Sequence, residues 1–219
     1  MIRSMAYIRP DADSEPAEDL TRRERRKLEV HIRILEASVE LFQQHGIDNT
    51  KVLDICERAD VAHKTFFNHF VSKRHLLREI ASYGLSQVLT DIETARKQPV
   101  STRARIHHFF EGLADHADEA GPMHGELLTE MVAVSHESGR EPAQARKLHD
   151  AFGAIIADGL EIGDIDEKHS LETLTEMLMG AYYVLMFNWA NLDSYPLRER
   201  ALATARFLAD SITLETEAR

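Results

Sequence analysis

The chain has 219 residues, of which 43% are hydrophobic and 29% are charged, the balance of a globular protein with a sizeable core. Residues 177–192 form the longest run without a charged side chain. This run is shorter than the ~20 residues needed to cross a bilayer, and the first thirty residues contain no apolar signal-peptide segment. The single cysteine, Cys56, excludes an intramolecular disulfide. We therefore expect a cytoplasmic protein with no membrane partner.

The net charge of −11 is unevenly distributed along the chain. Residues 20–80 contain 12 Lys and Arg against 9 Asp and Glu, together with five histidines, whereas the rest of the chain contains 14 against 28. Binding to DNA depends mainly on neutralising phosphates. The basic N-terminal third therefore favours contact with a polyanion, and the acidic remainder favours a different role.

In chain order, the first segment is residues 1–20, where few large apolar side chains predict a mobile tail. From Leu28 onward, apolar residues recur at helical spacing, and Gly46 fits the end of this first helix. The basic run just before it, residues 22–27, is interpreted either as an arm that reaches DNA or as the solvated start of the helix.

A second, short helix is predicted to begin with Thr50 as its N-cap. Asp60 falls where the chain must turn sharply, and aspartate tolerates left-handed backbone conformations. A third helix is predicted over 62–69, and Ser72 fits the cap of a long fourth helix that reaches toward Pro99.

Beyond Pro99 the apolar spacing stays helical, with breaks at Gly, Pro, Asp and Ser clusters. Five more helices are predicted, over residues 102–119, 123–134, 142–161, 169–191 and 196–214. No strand-like alternation and no internal repeat is found in the sequence. The predicted fold class is all-α with about nine helices, divided into the tail 1–20, a DNA-binding domain 21–71 and a C-terminal domain 72–219.

The two short helices between Lys51 and Phe70 have the spacing of a helix-turn-helix. Ala62, Phe66 and Phe70 share one face of the third helix and are expected to pack on Leu53, Ile55 and the first helix. The opposite face then presents side chains suited to base edges, since Lys reaches guanine or phosphate and Asn pairs with adenine: His63, Lys64, Phe67 and Asn68. Backbone phosphates are expected to meet a second set: Thr50, Lys51, Thr65, His69 and Lys73.

The segment 28–80 closely resembles the N-terminal motif of the TetR family of regulators. The match runs in order and spacing through Ile34-Leu35-Glu36-Ala37, Leu41-Phe42, Gly46, Val52 to Ile55, Ala59-Asp60-Val61, Thr65 to Phe70 and Ser72-Lys73. Three residues depart from the family pattern: Ser38 replaces a common alanine, Asp60 the usual glycine and Phe67 the usual tyrosine. Phe67 lacks the hydroxyl that reaches a phosphate in relatives, so that contact is not carried over.

The resemblance implies a repressor that binds double-stranded operator DNA with inverted-repeat symmetry as a homodimer. It also implies a C-terminal domain that dimerises through its last two helices and holds a small apolar or amphipathic effector. The apolar stripe of the last helix is the predicted dimer surface: Leu197, Ala201, Ala205, Leu208 and Ile212. Candidate effector contacts, each of which could equally be plain core, are Phe109, Phe110, Leu113, Met131, Phe152, Tyr182, Tyr183, Met186, Phe187 and Trp189. Binding there is expected to change the spacing of the two DNA-reading heads through the fourth helix.

Other functional classes find little support in the sequence. It contains no P-loop, dinucleotide-binding glycine motif, nucleophile elbow or metal-hydrolase spacing, so we expect no enzyme activity. The twelve histidines lack metal-ligand spacing, even where His107, His108, His116 and His124 cluster, and neither a metal nor another cofactor is expected. Two alternatives are a degenerate relative that acts through protein contacts and a helical small-molecule-binding protein or enzyme that does not bind an operator.

Overall fold

The computed structural model describes residues 21–119, 123–135, 143–166 and 168–214. The predicted mobile tail, 1–20, lies outside these residues. Within them the backbone forms nine α-helices and no strand, apart from one isolated bridge between Ile165 and Thr213. The helices are α1 (Arg22–His45), α2 (Val52–Arg58), α3 (His63–His69), α4 (Lys73–Lys97), α5 (Thr102–Glu119), α6 (His124–Ser135), α7 (Ala143–Ile162), α8 (Leu171–Asn191) and α9 (Leu197–Ile212). The all-α prediction is confirmed.

The described residues pack as two compact units. The first contains residues 21–84 and 123–131, and the second contains residues 85–119, 132–135 and 143–214 except 167. Helix α4 thus contributes residues to both units. The packing of the first unit continues past residue 71, the predicted end of the DNA-binding domain, into α4.

Helix α1 begins earlier than the apolar spacing predicted. The Thr21 hydroxyl accepts a hydrogen bond from the Glu24 amide at 3.3 Å, and the Glu24 carboxylate accepts one from the Thr21 amide at 2.9 Å. This reciprocal capping box starts the helix at Arg22. The basic run 22–27 is therefore the exposed first part of α1 and does not precede the helix as an arm. At its other end Gly46, with φ of 79°, ends the helix as predicted.

The start of α2 differs from the prediction, because Thr50 is not its cap. The Thr50 hydroxyl donates to the carbonyl of Gly46 at 2.8 Å, so it is bound to the end of α1 instead. The Lys51 amide is bound by the Asp54 carboxylate at 2.9 Å, and α2 begins one residue later. The two other turn predictions are confirmed: Asp60 has φ of 50°, and the Ser72 hydroxyl accepts the His75 amide at 3.0 Å.

The core of the first unit fixes the orientation of α3. Phe66 and Phe70 are completely buried and pack with Ile55 and residues of α1. The predicted packing of Leu53 and Ala62 is wrong, since Leu53 is 58% exposed and Ala62 is also exposed. Leu53 lies two residues from Ile55, about 200° around a helix, so both cannot face one core. Ala62 precedes the first turn of α3 as its N-cap.

In the second unit, α5 is held at its start by a distant carboxylate. Asp164, which follows α7, accepts the Thr102 amide at 2.7 Å. Gly159 of α7 allows this close approach, because a Cβ there would lie 2.5 Å from the Thr102 Oγ1 and 2.4 Å from Ile165 Cδ1. The last turn of α7 and the chain after it are thereby tied to α5.

Candidate nucleic-acid interface

Helix α3 has one buried face and one exposed polar face. Phe66 is fully buried, whereas His63, Lys64 and Asn68 are exposed, as the spacing predicted. A helix anchored by an aromatic side chain on its inner face holds its outer side chains in a defined orientation. The structure therefore brings these three predicted base-reading side chains together on one surface.

Phe67 lies on the same outer surface and is held between two other rings. Its side chain is 44% exposed. Its centroid lies 5.2 Å from that of Phe66 and 4.8 Å from that of His63, both in edge-on arrangements. Edge-to-face pairs are a favourable geometry for aromatic rings, so the exposed part of Phe67 has a preset orientation.

The predicted phosphate-contacting residues divide into two groups. Lys51 is exposed, and Thr65 and His69 are half-buried. Thr50 is only 2% exposed, and the Lys73 ammonium donates to the carbonyls of Ile47 at 2.6 Å and Thr50 at 3.1 Å. Lys73 thus stabilises the loop between α1 and α2. A role for Thr50 and Lys73 in DNA contact stays a prediction.

His69, at the end of α3, belongs to a histidine and carboxylate cluster at the back of this surface. His31 of α1 stacks on Phe70 with centroids 4.5 Å apart, forms a hydrogen bond with Glu79 of α4 and lies 5.6 Å from the His69 ring. Burial lowers the pKa of His69, electrostatic interactions with His31 and Lys27 lower it further, and the interaction with Glu79 raises it. The neutral form of His69 is therefore favoured in the folded protein.

Candidate effector contacts in the second unit form a compact aromatic cluster. The Phe109 ring lies 5.1 Å from that of Phe110, 5.2 Å from that of Phe152 and 6.0 Å from that of Tyr182. Burial strongly raises the pKa of the Tyr182 phenol, so that phenol stays neutral.

The other candidate effector contacts differ in how far their side chains are exposed. Leu113 and Met186 are buried, whereas Tyr183 and Trp189 are half-buried. Phe187 is 66% exposed, because it lies on the outer face of α8. Met131 belongs to the first unit and packs closely against Gly84. A Cβ atom added to Gly84 would lie 3.2 Å from the Met131 sulfur.

The predicted dimer stripe of α9 is turned toward the protein's own interior. Its five residues are all at most 7% exposed, and α9 packs mainly against α5 and also against α8: Leu197, Ala201, Ala205, Leu208 and Ile212. They have little surface left for a partner chain. The opposite face of α8 and α9 carries exposed apolar side chains: Met177, Val184, Phe187 and Phe207. The apolar character of residues 177–189 on nearly all sides predicts a subunit interface on one side of α8, but Phe207 of α9 is not among the predicted dimer contacts.

An open groove of about 680 Å³ runs between α8 and α9 on this exposed side. Met177 and Ala181 of α8 line it on one side, and Ala203 and Phe207 of α9 on the other. Among the described residues no group of three or more His, Cys, Asp or Glu side chains could hold a metal ion. No described helix is long and apolar enough to cross a membrane.

Two short helices joined by a tight turn, the second with an exposed polar face, have the geometry of a DNA-binding helix-turn-helix. The family model for bacterial regulatory proteins of the tetR family matches residues 34–80. The repressor KstR of Mycobacterium tuberculosis is 30% identical over 160 residues, which cover 72% of this chain and 69% of KstR. The chain belongs to the TetR family of DNA-binding transcriptional regulators, which are not enzymes.

Solved structures agree with this assignment. A putative TetR-family regulator from Mesorhizobium loti superposes with a TM-score of 0.62 at 18% identity, over 86% of this chain and 99% of its own. Thermus thermophilus FadR, a TetR-family repressor solved with lauroyl-CoA, superposes with a TM-score of 0.55 at 25% identity, over 86% and 98% of the two chains. Both likenesses extend well beyond the helix-turn-helix and support the same all-helical fold.

Proposed function

We propose that the protein is a cytoplasmic homodimer that represses transcription by placing α3 of each subunit in the major groove of an inverted-repeat operator, and that a small ligand relieves this repression. The observation that carries the DNA-binding part is the exposed polar face of α3 above the fully buried Phe66. A two-fold dimer presents two such helices, which is why the operator is expected to be palindromic.

Within this face we assign base contacts to Lys64 and Asn68. Lys donates to the O6 and N7 acceptors of guanine, and Asn pairs with the N6 and N7 atoms of adenine. Lys51 at the start of α2 is assigned to phosphate, with Thr65 and His69 at the margin of the contact. These assignments follow from exposure and charge.

The DNA-binding test uses a duplex selected in vitro from random-sequence DNA with the full chain. Lys64→Ala is expected to weaken binding and to relax the preference for guanine at one base pair of each half-site. Asn68→Ala is expected to relax the preference at one base pair of each half-site. Lys147→Ala, an exposed lysine of α7, is the matched control. Binding of wild type that is independent of salt would contradict the proposal.

For the dimer we propose the exposed apolar face of α8 and α9 in place of the buried α9 stripe. Val184 is 58% exposed and Phe207 is 68% exposed, and large exposed apolar side chains on two helices that pack together favour association. A second copy of the chain is the proposed occupant, because the family resemblance implies dimerisation through these two helices.

Light scattering tests this interface. Val184→Glu and Phe207→Glu are expected to give folded monomers with reduced operator affinity. Ile162→Glu, at a 55% exposed apolar position at the end of α7, is the matched control and is expected to stay dimeric. A dimer that is unchanged in both α8 and α9 variants would reject the surface.

For the effector we propose a small apolar or amphipathic molecule bound at the aromatic cluster of Phe109, Phe110, Phe152 and Tyr182. Aromatic side chains commonly line such sites, and the similar FadR of Thermus thermophilus was solved with lauroyl-CoA. Lauroyl-CoA is therefore the first probe, with free CoA as its control. It is expected to raise the melting temperature and to release the selected duplex.

Variants at the cluster localise the binding. Phe109→Leu keeps an apolar side chain at this buried position and is expected to weaken the response to lauroyl-CoA while leaving DNA affinity intact. A response of equal size in Phe109→Leu would place the ligand elsewhere. No response of the wild type to lauroyl-CoA would reject this ligand class.

A further inference from the structure

The exposed ring of Phe67 stands in the middle of a polar surface. Lys64 lies three residues before it on α3 and Asn68 follows it directly, and both are exposed. Residues at spacings of three and four are neighbours on a helix surface, so the apolar ring lies beside Lys64, which is assigned to a base. A phenyl ring neither donates nor accepts a conventional hydrogen bond, and its contribution to DNA recognition must come from apolar contact.

The major groove offers one exposed apolar group at its base edges, the 5-methyl group of thymine. Burying such a methyl group against a ring removes apolar surface from water on both sides. The ring is held edge-on at 5.2 Å by Phe66 and at 4.8 Å by His63. Little further ordering is therefore needed when it meets the DNA, which favours a specific contact.

We propose that Phe67 reads a thymine methyl group in each half-site of the operator and that His63 is a positioning residue for its ring. This inference rests on the proposed DNA-binding role of α3. Phe67 then helps to select the operator sequence, and the thymine lies within or next to the base pairs that Lys64 and Asn68 contact.

The test replaces thymine by deoxyuridine, which removes only the methyl group and leaves base pairing unchanged. In the in vitro selected duplex, each symmetric pair of thymines is replaced in turn, and binding of the full chain is measured. At one pair the wild type is expected to lose about fourfold in affinity per half-site, the effect of one buried methyl group. The other positions are expected to change by less than about twofold.

Variants assign the effect to Phe67. Phe67→Ala is expected to bind the thymine duplex more weakly and to show no further loss at the sensitive pair. Phe67→Tyr keeps the ring and is expected to keep the methyl dependence. His63→Ala is expected to reduce this dependence in part while leaving the salt slope unchanged, which separates ring positioning from a phosphate contact.

Each outcome has a distinct meaning. If the chain selects no duplex, the proposed DNA-binding function itself fails. If it selects a duplex but no deoxyuridine replacement matters, or if Phe67→Ala retains the full methyl dependence, only the reading of thymine by Phe67 is overturned. Circular dichroism of each variant checks that α3 is still folded, and the retained ring of Phe67→Tyr keeps the test decisive if Phe67→Ala unfolds.

Discussion

Replacing Lys73 by methionine is expected to destabilise the first unit, because the Lys73 ammonium joins two parts of the chain. It donates to the carbonyls of Ile47 at 2.6 Å and Thr50 at 3.1 Å. Hydrogen bonds from charged groups contribute about 1.5–3 kcal/mol each. Since this side chain is only half-buried, we take a total of about 2 kcal/mol. For a chain of this length, that corresponds to a fall in Tm of roughly 4–8 °C.

Thermal unfolding followed by circular dichroism measures this change, and DNA titration at several salt concentrations measures any phosphate contact. Lys73→Met is expected to lower Tm and to leave the salt slope close to that of the wild type. Lys51→Met is the matched control, with an exposed lysine assigned to phosphate, and is expected to lower the slope by about 1 at unchanged Tm. An unchanged Tm together with a reduced slope for Lys73→Met would refute the reasoning and make Lys73 a DNA contact.

Three further predictions concern stability. Phe66→Ala should lower the free energy of unfolding by about 3–5 kcal/mol, because Phe66 is fully buried. Phe67 is exposed, so Phe67→Ala should lower it by less than about 1 kcal/mol. Denaturant titration measures both changes. Burial lowers the pKa of His69, so the folded state binds a proton at this site less well than the unfolded state does. The free energy of unfolding is therefore highest above about pH 6.5 and decreases as the pH falls below it. Thermal melts at different pH values should show a weaker pH dependence for His69→Gln. Asp164→Ala removes the carboxylate at the Thr102 amide and should lower stability by about 1 kcal/mol in the same titration; no change would contradict the cap.

Much of the first unit could be predicted from local sequence. Gly46, Asp60 and Ser72 mark turns and helix ends through backbone preferences and capping groups that depend on a few neighbouring residues. The two faces of α3 follow from the helical repeat, so the burial of Phe66 and the exposure of Phe67 were both predictable.

Other features depend on which of several possible partners a side chain meets in the folded chain. Lys73 has the charge of a phosphate-binding residue, but its ammonium is bound to carbonyls more than 20 residues away. Thr50 has the chemistry of a helix cap, but its hydroxyl is bound at the end of α1. Local preference cannot decide which of several possible acceptors a side chain will meet.

The apolar stripe of α9 shows most clearly what the sequence determined and what the tertiary structure decided. Its spacing showed that Ala201 and Ala205 face another helix, because apolar side chains on one side of a helix must be buried. A helix of the same chain or a helix of a partner chain can bury such a stripe equally well. Packing of α9 against α5 buries the stripe within one chain and leaves Phe207, with Val184 of α8, on the outer surface.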